Sequence, residues 1–126
     1  MTYGPLRLAA DLRELGHVVE EVKAPDGTPF AVVRGFTVPM GRFADRVIDL
    51  AIQATADFPL SVATAIHVRA APQLYDYTDT VPNVRNITKS ALGEDWRYWS
   101  HNFGWQGERN ARRLMSQINR IFLNAA

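Results

Sequence analysis

The sequence predicts an α+β fold: an N-terminal helix, a four-stranded antiparallel meander, a long irregular segment and a C-terminal helix. Three observations predict it. One stretch near each end repeats apolar residues at helical spacing. Between them, four short alternating runs are joined by connections too short for a parallel crossover. After the fourth run, residues 70–90 show little periodicity and hold Pro72 and Pro82 among polar turn formers. A segment of that length without regular structure is usually functional or disordered.

The first helix is expected over Pro5–Leu15. Leu8, Leu12 and Leu15 share one stripe, with Leu6 and Ala9 close by. Pro5 suits a first helical turn, and Gly16 is placed to end the helix. His17–Lys23 alternates, if imperfectly, and its β-branched residues favour a strand. Pro25-Asp26-Gly27 is turn chemistry, so Phe30–Val38 (FAVVRGFTV) should close a hairpin with the preceding run. Pro39-Met40-Gly41 breaks the pattern. Arg46–Ala54 resumes it, Asp57-Phe58-Pro59 breaks it again, and Ala63–Arg69 (ATAIHVR) is the fourth strand. The last helix, Glu108–Leu123, is the clearest element. Ala111, Leu114, Met115, Ile118, Ile121 and Phe122 form its apolar face, and Arg109, Arg112, Arg113 and Asn119 fill the other.

With 126 residues, 47% of them hydrophobic and 21% charged, the chain reads as one domain (residues 1–126) with enough apolar side chains for a core of its own. A net charge of +1 gives no electrostatic footprint for nucleic acid or a membrane surface. No apolar run is long enough to span a bilayer, and the N-terminus lacks the apolar run of a signal peptide, so a cytoplasmic location is expected. There is no cysteine, which excludes disulfides, thiolate nucleophiles and thiolate-held zinc. His17, His67 and His101 are far apart and lack metal-ligand spacing. No metal and no cofactor are expected.

One stretch, GEDWRYWSHNFGW (Gly93–Trp105), holds all three tryptophans. Trp96, Trp99 and Trp105 can each bury a large apolar area, so packing is the expected role for at least two of them. His67, inside a strand, is expected to be structural. Ser90, ahead of Ala91-Leu92 and Glu94-Asp95, suits a helix cap with a short helical turn after it.

The order of elements resembles the ubiquitin-conjugating enzyme superfamily, over most of the chain from Pro5 to Leu123. Phe58-Pro59, just after the third strand, is similar to the Tyr-Pro found there in that family. Val81–His101, VPNVRNITKSALGEDWRYWSH, is similar to the family's His-Pro-Asn, catalytic Cys-Leu and Trp-Ser-Pro run. Pro82, Asn83, Leu92, Trp99 and Ser100 match, whereas Val81, Ala91 and His101 depart, and Ala91 fills the cysteine slot. The pattern Trp96, Trp99, Ser100, His101 resembles a signature of a compact bacterial branch encoded in ubiquitin-like conjugation operons.

That resemblance implies handling of a ubiquitin-like protein beside an adenylating (activating) enzyme and often a deconjugating protease. From the near-neutral charge and the lack of a long apolar run, no nucleic-acid or membrane partner is expected. The resemblance also implies a loop-supporting and oxyanion-stabilising role for Asn83, of a kind that contributes on the order of 3 kcal/mol; otherwise Asn83 is a turn residue. Ordinary conjugation needs a thiolate to carry the acyl group, and Ala91 cannot supply one. Three explanations stay open: a cysteine-free member that binds without reacting, a serine oxyester, or an Ala91 that replaces a natural cysteine. In the second, Ser90 is the nucleophile and His101, beside Ser100, its base. From other classes come a small Ser/His hydrolase, for which no Gly-x-Ser-x-Gly elbow exists, and a plain interaction module.

Overall fold

The computed structural model describes residues 3–75 and 87–125. Helix α1 spans Pro5–Glu14. Strands follow at Val19–Lys23 (β1), Pro29–Thr37 (β2), Val47–Gln53 (β3), Ala65–Arg69 (β4), Ile87–Ser90 (β5) and Gly93–Ser100 (β6), and α2 spans Ala111–Asn124. All ladders are antiparallel, in the order β1-β2-β3-β4-β6-β5. The expected meander is therefore present, and two further strands extend it. Part of the segment expected to be irregular forms β5, and the tryptophan-rich stretch supplies β6.

Local chemistry explains the boundaries. Pro5 opens α1 without needing an amide donor, and Gly16, at φ 97°, turns the chain out after it. The Asp26 carboxylate accepts from the Thr28 N–H at 2.9 Å, and Gly27 takes φ 90°, which closes the β1–β2 hairpin. α2 starts with its apolar repeat at Ala111, after the expected Glu108, because Asn110 caps it. The Asn110 side chain accepts from the Arg113 N–H at 2.8 Å, satisfying one of the donors that a helix start leaves open.

Both helices pack on one face of the sheet. That core joins Leu8 and Leu12 of α1 and Leu114, Ile118 and Phe122 of α2 to Val33, Leu50, Ile66 and Val68. Trp99 is fully buried there, its ring 5.2 Å from Tyr75 and 5.5 Å from Phe122. Trp105 is half-buried, and its indole N–H donates to the Pro59 carbonyl at 2.7 Å. This bond ties the stretch after β6 to the Phe58-Pro59 break.

The other face carries no helix among the described residues. A smaller cluster of Ala24, Phe30, Val32, Ala51 and Trp96 covers it. Beside that cluster, Asp49 of β3 pairs with Arg69 of β4 at 2.6 Å and Arg34 of β2 at 3.3 Å, and Arg34 pairs with Glu20 of β1 at 2.8 Å. The ion pairs thus cross four strands. The Arg69 guanidinium also lies 4.8 Å from the centre of the Trp96 ring, where the cation meets the ring's negative face.

Candidate functional site

The chemistry-bearing residues gather where the β5–β6 hairpin meets β4. Alternation along Ala65–Arg69 sends Ile66 and Val68 into the helix-facing core and leaves His67 on the other face. His67 pairs in register with Ala51 on one side and Tyr98 on the other. Its ring stands edge-on between Phe30 at 4.8 Å and Tyr98 at 5.3 Å. Only 3% of the residue is exposed.

Ser90 ends β5. The ladder shifts register there, so that Ser90 pairs with Gly93, a glycine at φ 129°. The shifted end lets the Ser90 hydroxyl reach His67 on the far side of β6: Ser90 Oγ lies 2.7 Å from His67 Nδ1. The Leu92 N–H donates to the same oxygen at 3.1 Å. Burial pushes the His67 imidazole down to about 4, so the ring is neutral at neutral pH. In the tautomer protonated on Nε2, the Ser90 hydroxyl donates to His67 Nδ1 while its oxygen accepts from the Leu92 N–H. His67 Nε2 has no hydrogen-bond partner among the described residues.

The expected site residues divide between two ends of β6. Ala91 and Leu92 form the hairpin turn, with Ala91 exposed. Ser90 is the last residue of a strand, not the cap of a helical turn, because Ile87–Ser90 pairs with β6. Ser100 pairs with Ala65 at the opposite end of the strand. His101 follows it. The His101 N–H donates to the Thr64 carbonyl at 2.9 Å, and its ring stands edge-on to Phe103 at 4.8 Å. At about 3.3 Å per residue, the length of β6 separates His101 from Ser90 by roughly 25 Å. His101 therefore stands at the far end of the strand from Ser90, and the ring nitrogen beside Ser90 Oγ is Nδ1 of His67. Asn83, with Val81 and Pro82, lies outside the described residues.

Ser90, Lys89, Gly93, Glu94 and Arg97 line an open cleft of about 500 Å³ at the hairpin end. Two of these side chains are cationic and one anionic. Among the described residues, no group of three or more His, Asp or Glu side chains is placed to hold a metal ion. No described helix is long and apolar enough to cross a membrane.

The model of Prokaryotic E2 family E matches residues 8–124. The chain belongs to that family. No curated protein and no solved structure matches it significantly. The match runs from within α1 to the end of α2, so it takes in most of α1, all six strands and α2. This family E chain has no cysteine, and its cysteine slot, as laid out from the sequence, falls on a hairpin tip. The residue that sequence reasoning set aside was His67. The alternation of ATAIHVR already placed it opposite Ile66 and Val68, on a face shared with Ala65 and Arg69. Its meeting with Ser90 depends on the β4–β6 ladder, which no local pattern announces.

Proposed function

We propose that this family E member is a binding component of a bacterial ubiquitin-like protein conjugation pathway. It engages a ubiquitin-like protein, its adenylating enzyme, or both, and does so without thioester chemistry. One observation carries the reading: a chain matched to a prokaryotic E2 family over residues 8–124 contains no cysteine. The helix-covered core is formed without a thiolate, which supports a role in binding rather than in acyl transfer on sulfur. A protein of this shape delivers or holds a partner rather than carrying its acyl group on sulfur.

The test uses a bacterial ubiquitin-like protein and its adenylating enzyme. Calorimetric titration is expected to show binding to at least one of them. Incubation with both and ATP is expected to give no adduct that a thiol reductant removes. Absence of binding to either partner would overturn the proposal, as would a reductant-labile adduct. A second reading, in which a serine hydroxyl replaces the thiolate, draws on one contact, that between Ser90 and His67.

A further inference from the structure

We propose that Ser90 and His67 are a nucleophile–base pair, with Ser90 Oγ accepting an activated acyl group as an oxyester. The inference rests on the second reading above and gives it a residue pair that the sequence did not. Four observations converge. Ser90 Oγ is 2.7 Å from His67 Nδ1, within reach for direct proton transfer. The Leu92 N–H holds the hydroxyl oxygen from another direction at 3.1 Å, so the hydroxyl has little freedom to turn away from the ring. His67 is buried and fixed between Phe30 and Tyr98, and its Nε2 is left unpartnered among the described residues. An unpaired buried nitrogen costs about 1–3 kcal/mol; fold stability alone gives no reason to keep it. Finally, Ser90 opens into a cleft flanked by Lys89 and Arg97, one residue before the exposed Ala91.

The reaction suits an acyl adenylate, the mixed anhydride that an adenylating enzyme makes from a C-terminal carboxylate. Ser90 Oγ attacks the acyl carbon. The new ester C–O bond forms as the bond from that carbon to the phosphate oxygen breaks, and adenylate departs with the electron pair. The hydroxyl proton passes to His67 Nδ1 and from there to the departing phosphate or to water. Lys89 and Arg97 are the cationic residues lining the cleft beside Ser90. Burial holds the His67 imidazole at about 4, which makes it a weak base, and so the pair matches a highly activated acyl donor rather than an amide. Tyr98 from β6 and Ser90 from β5 face the His67 ring. The nearest charges on that face, Asp49 of β3 and Arg69 of β4, are paired with each other.

The test acylates the full chain with p-nitrophenyl acetate and maps the product by peptide mass spectrometry. One acetyl group is expected on Ser90, stable to thiol reductant and released by mild hydroxide. Ser90→Ala should lose it. His67→Gln, which keeps a polar group in the same space, should slow acylation of Ser90 by about a hundredfold, with circular dichroism confirming the fold. Ser90→Cys should gain an adduct that thiols remove, which reads the same position without relying on His67. The rate on Ser90 should be level from pH 8 to about pH 5 and fall only below, whereas acylation of a lysine amine climbs with pH. Acetylation of Ser90 no faster than of other serines, or unchanged by His67→Gln, would overturn the pair. No protein partner enters this experiment. A failed acylation therefore leaves the pathway reading standing, and failed partner binding leaves this one standing.

Discussion

His67 loses its ability to hold a proton when the chain folds, and that loss has a measurable consequence. Its folded value is about 4 against the ordinary 6.5 of a histidine, and burial is the cause. Between those values the unfolded chain binds a proton that the folded chain refuses, so stability rises with pH across this window. The contribution is complete above about pH 6.5 and is lost as pH falls towards 4. The difference corresponds to roughly 3 kcal/mol, with little solvent screening at a residue so deeply buried. Urea titrations at neutral pH and near pH 4 should show wild-type stability falling by about that amount more than in His67→Gln. Equal slopes in the two chains would mean that His67 titrates alike in both states. Of the three histidines, the sequence singled out His101 because it adjoins Trp99-Ser100. Adjacency along one strand is a poor guide to proximity, since an extended chain carries neighbours apart as fast as it can. His67 is the one that meets a hydroxyl, across two ladders.

At the scale of elements, the four strands of the meander and both helices were legible to within a few residues, because each is written in local periodicity and bounded by glycine, proline or an asparagine cap. β5 and β6 were not. Their residues alternate poorly: Thr88 and Lys89 are both exposed, and Trp96 and Trp99 are buried on opposite faces of the sheet. A strand that is buried on both faces gives no clean alternation to read. Two glycines separate turn strain from close packing. Gly41, at φ 87°, lies so near the end of α2 that a Cβ there would sit 2.1 Å from the Phe122 carbonyl oxygen; Gly35, at φ 61° in the β2 irregularity, faces open space. Gly41→Ala should therefore cost about 3 kcal/mol or more, through strain and displacement of α2. Gly35→Ala should cost only about 1 kcal/mol, from the backbone alone. Thermal midpoints of the two variants measure the contrast, and equal losses would mean that the loop around Gly41 moves away from α2 freely.

For the whole molecule, the sheet is one-sided in its helices and two-sided in its burial. Trp99 is the largest fully buried side chain, and Trp99→Ala should destabilise the chain by about 3–5 kcal/mol, read from urea midpoints. The family is visible over nearly the full length because helix, meander and final helix keep their order. The reactive end was harder to read, since it depends on how the late hairpin docks. The strand order also has a corollary in time. β1 to β4 each pair with a sequence neighbour, and so do β5 and β6. Both parts can zip up through local hairpins, but they join only along the β4–β6 ladder. That ladder must close a long span of chain before its contacts reward the closure. It is the late step on the way to the native state. Stopped-flow kinetics should show that truncating Val68 or Trp99 chiefly accelerates unfolding, whereas truncating Val33 or Leu50 chiefly retards refolding. Since Ser90 meets His67 only across that same ladder, the pair is assembled last and comes apart first.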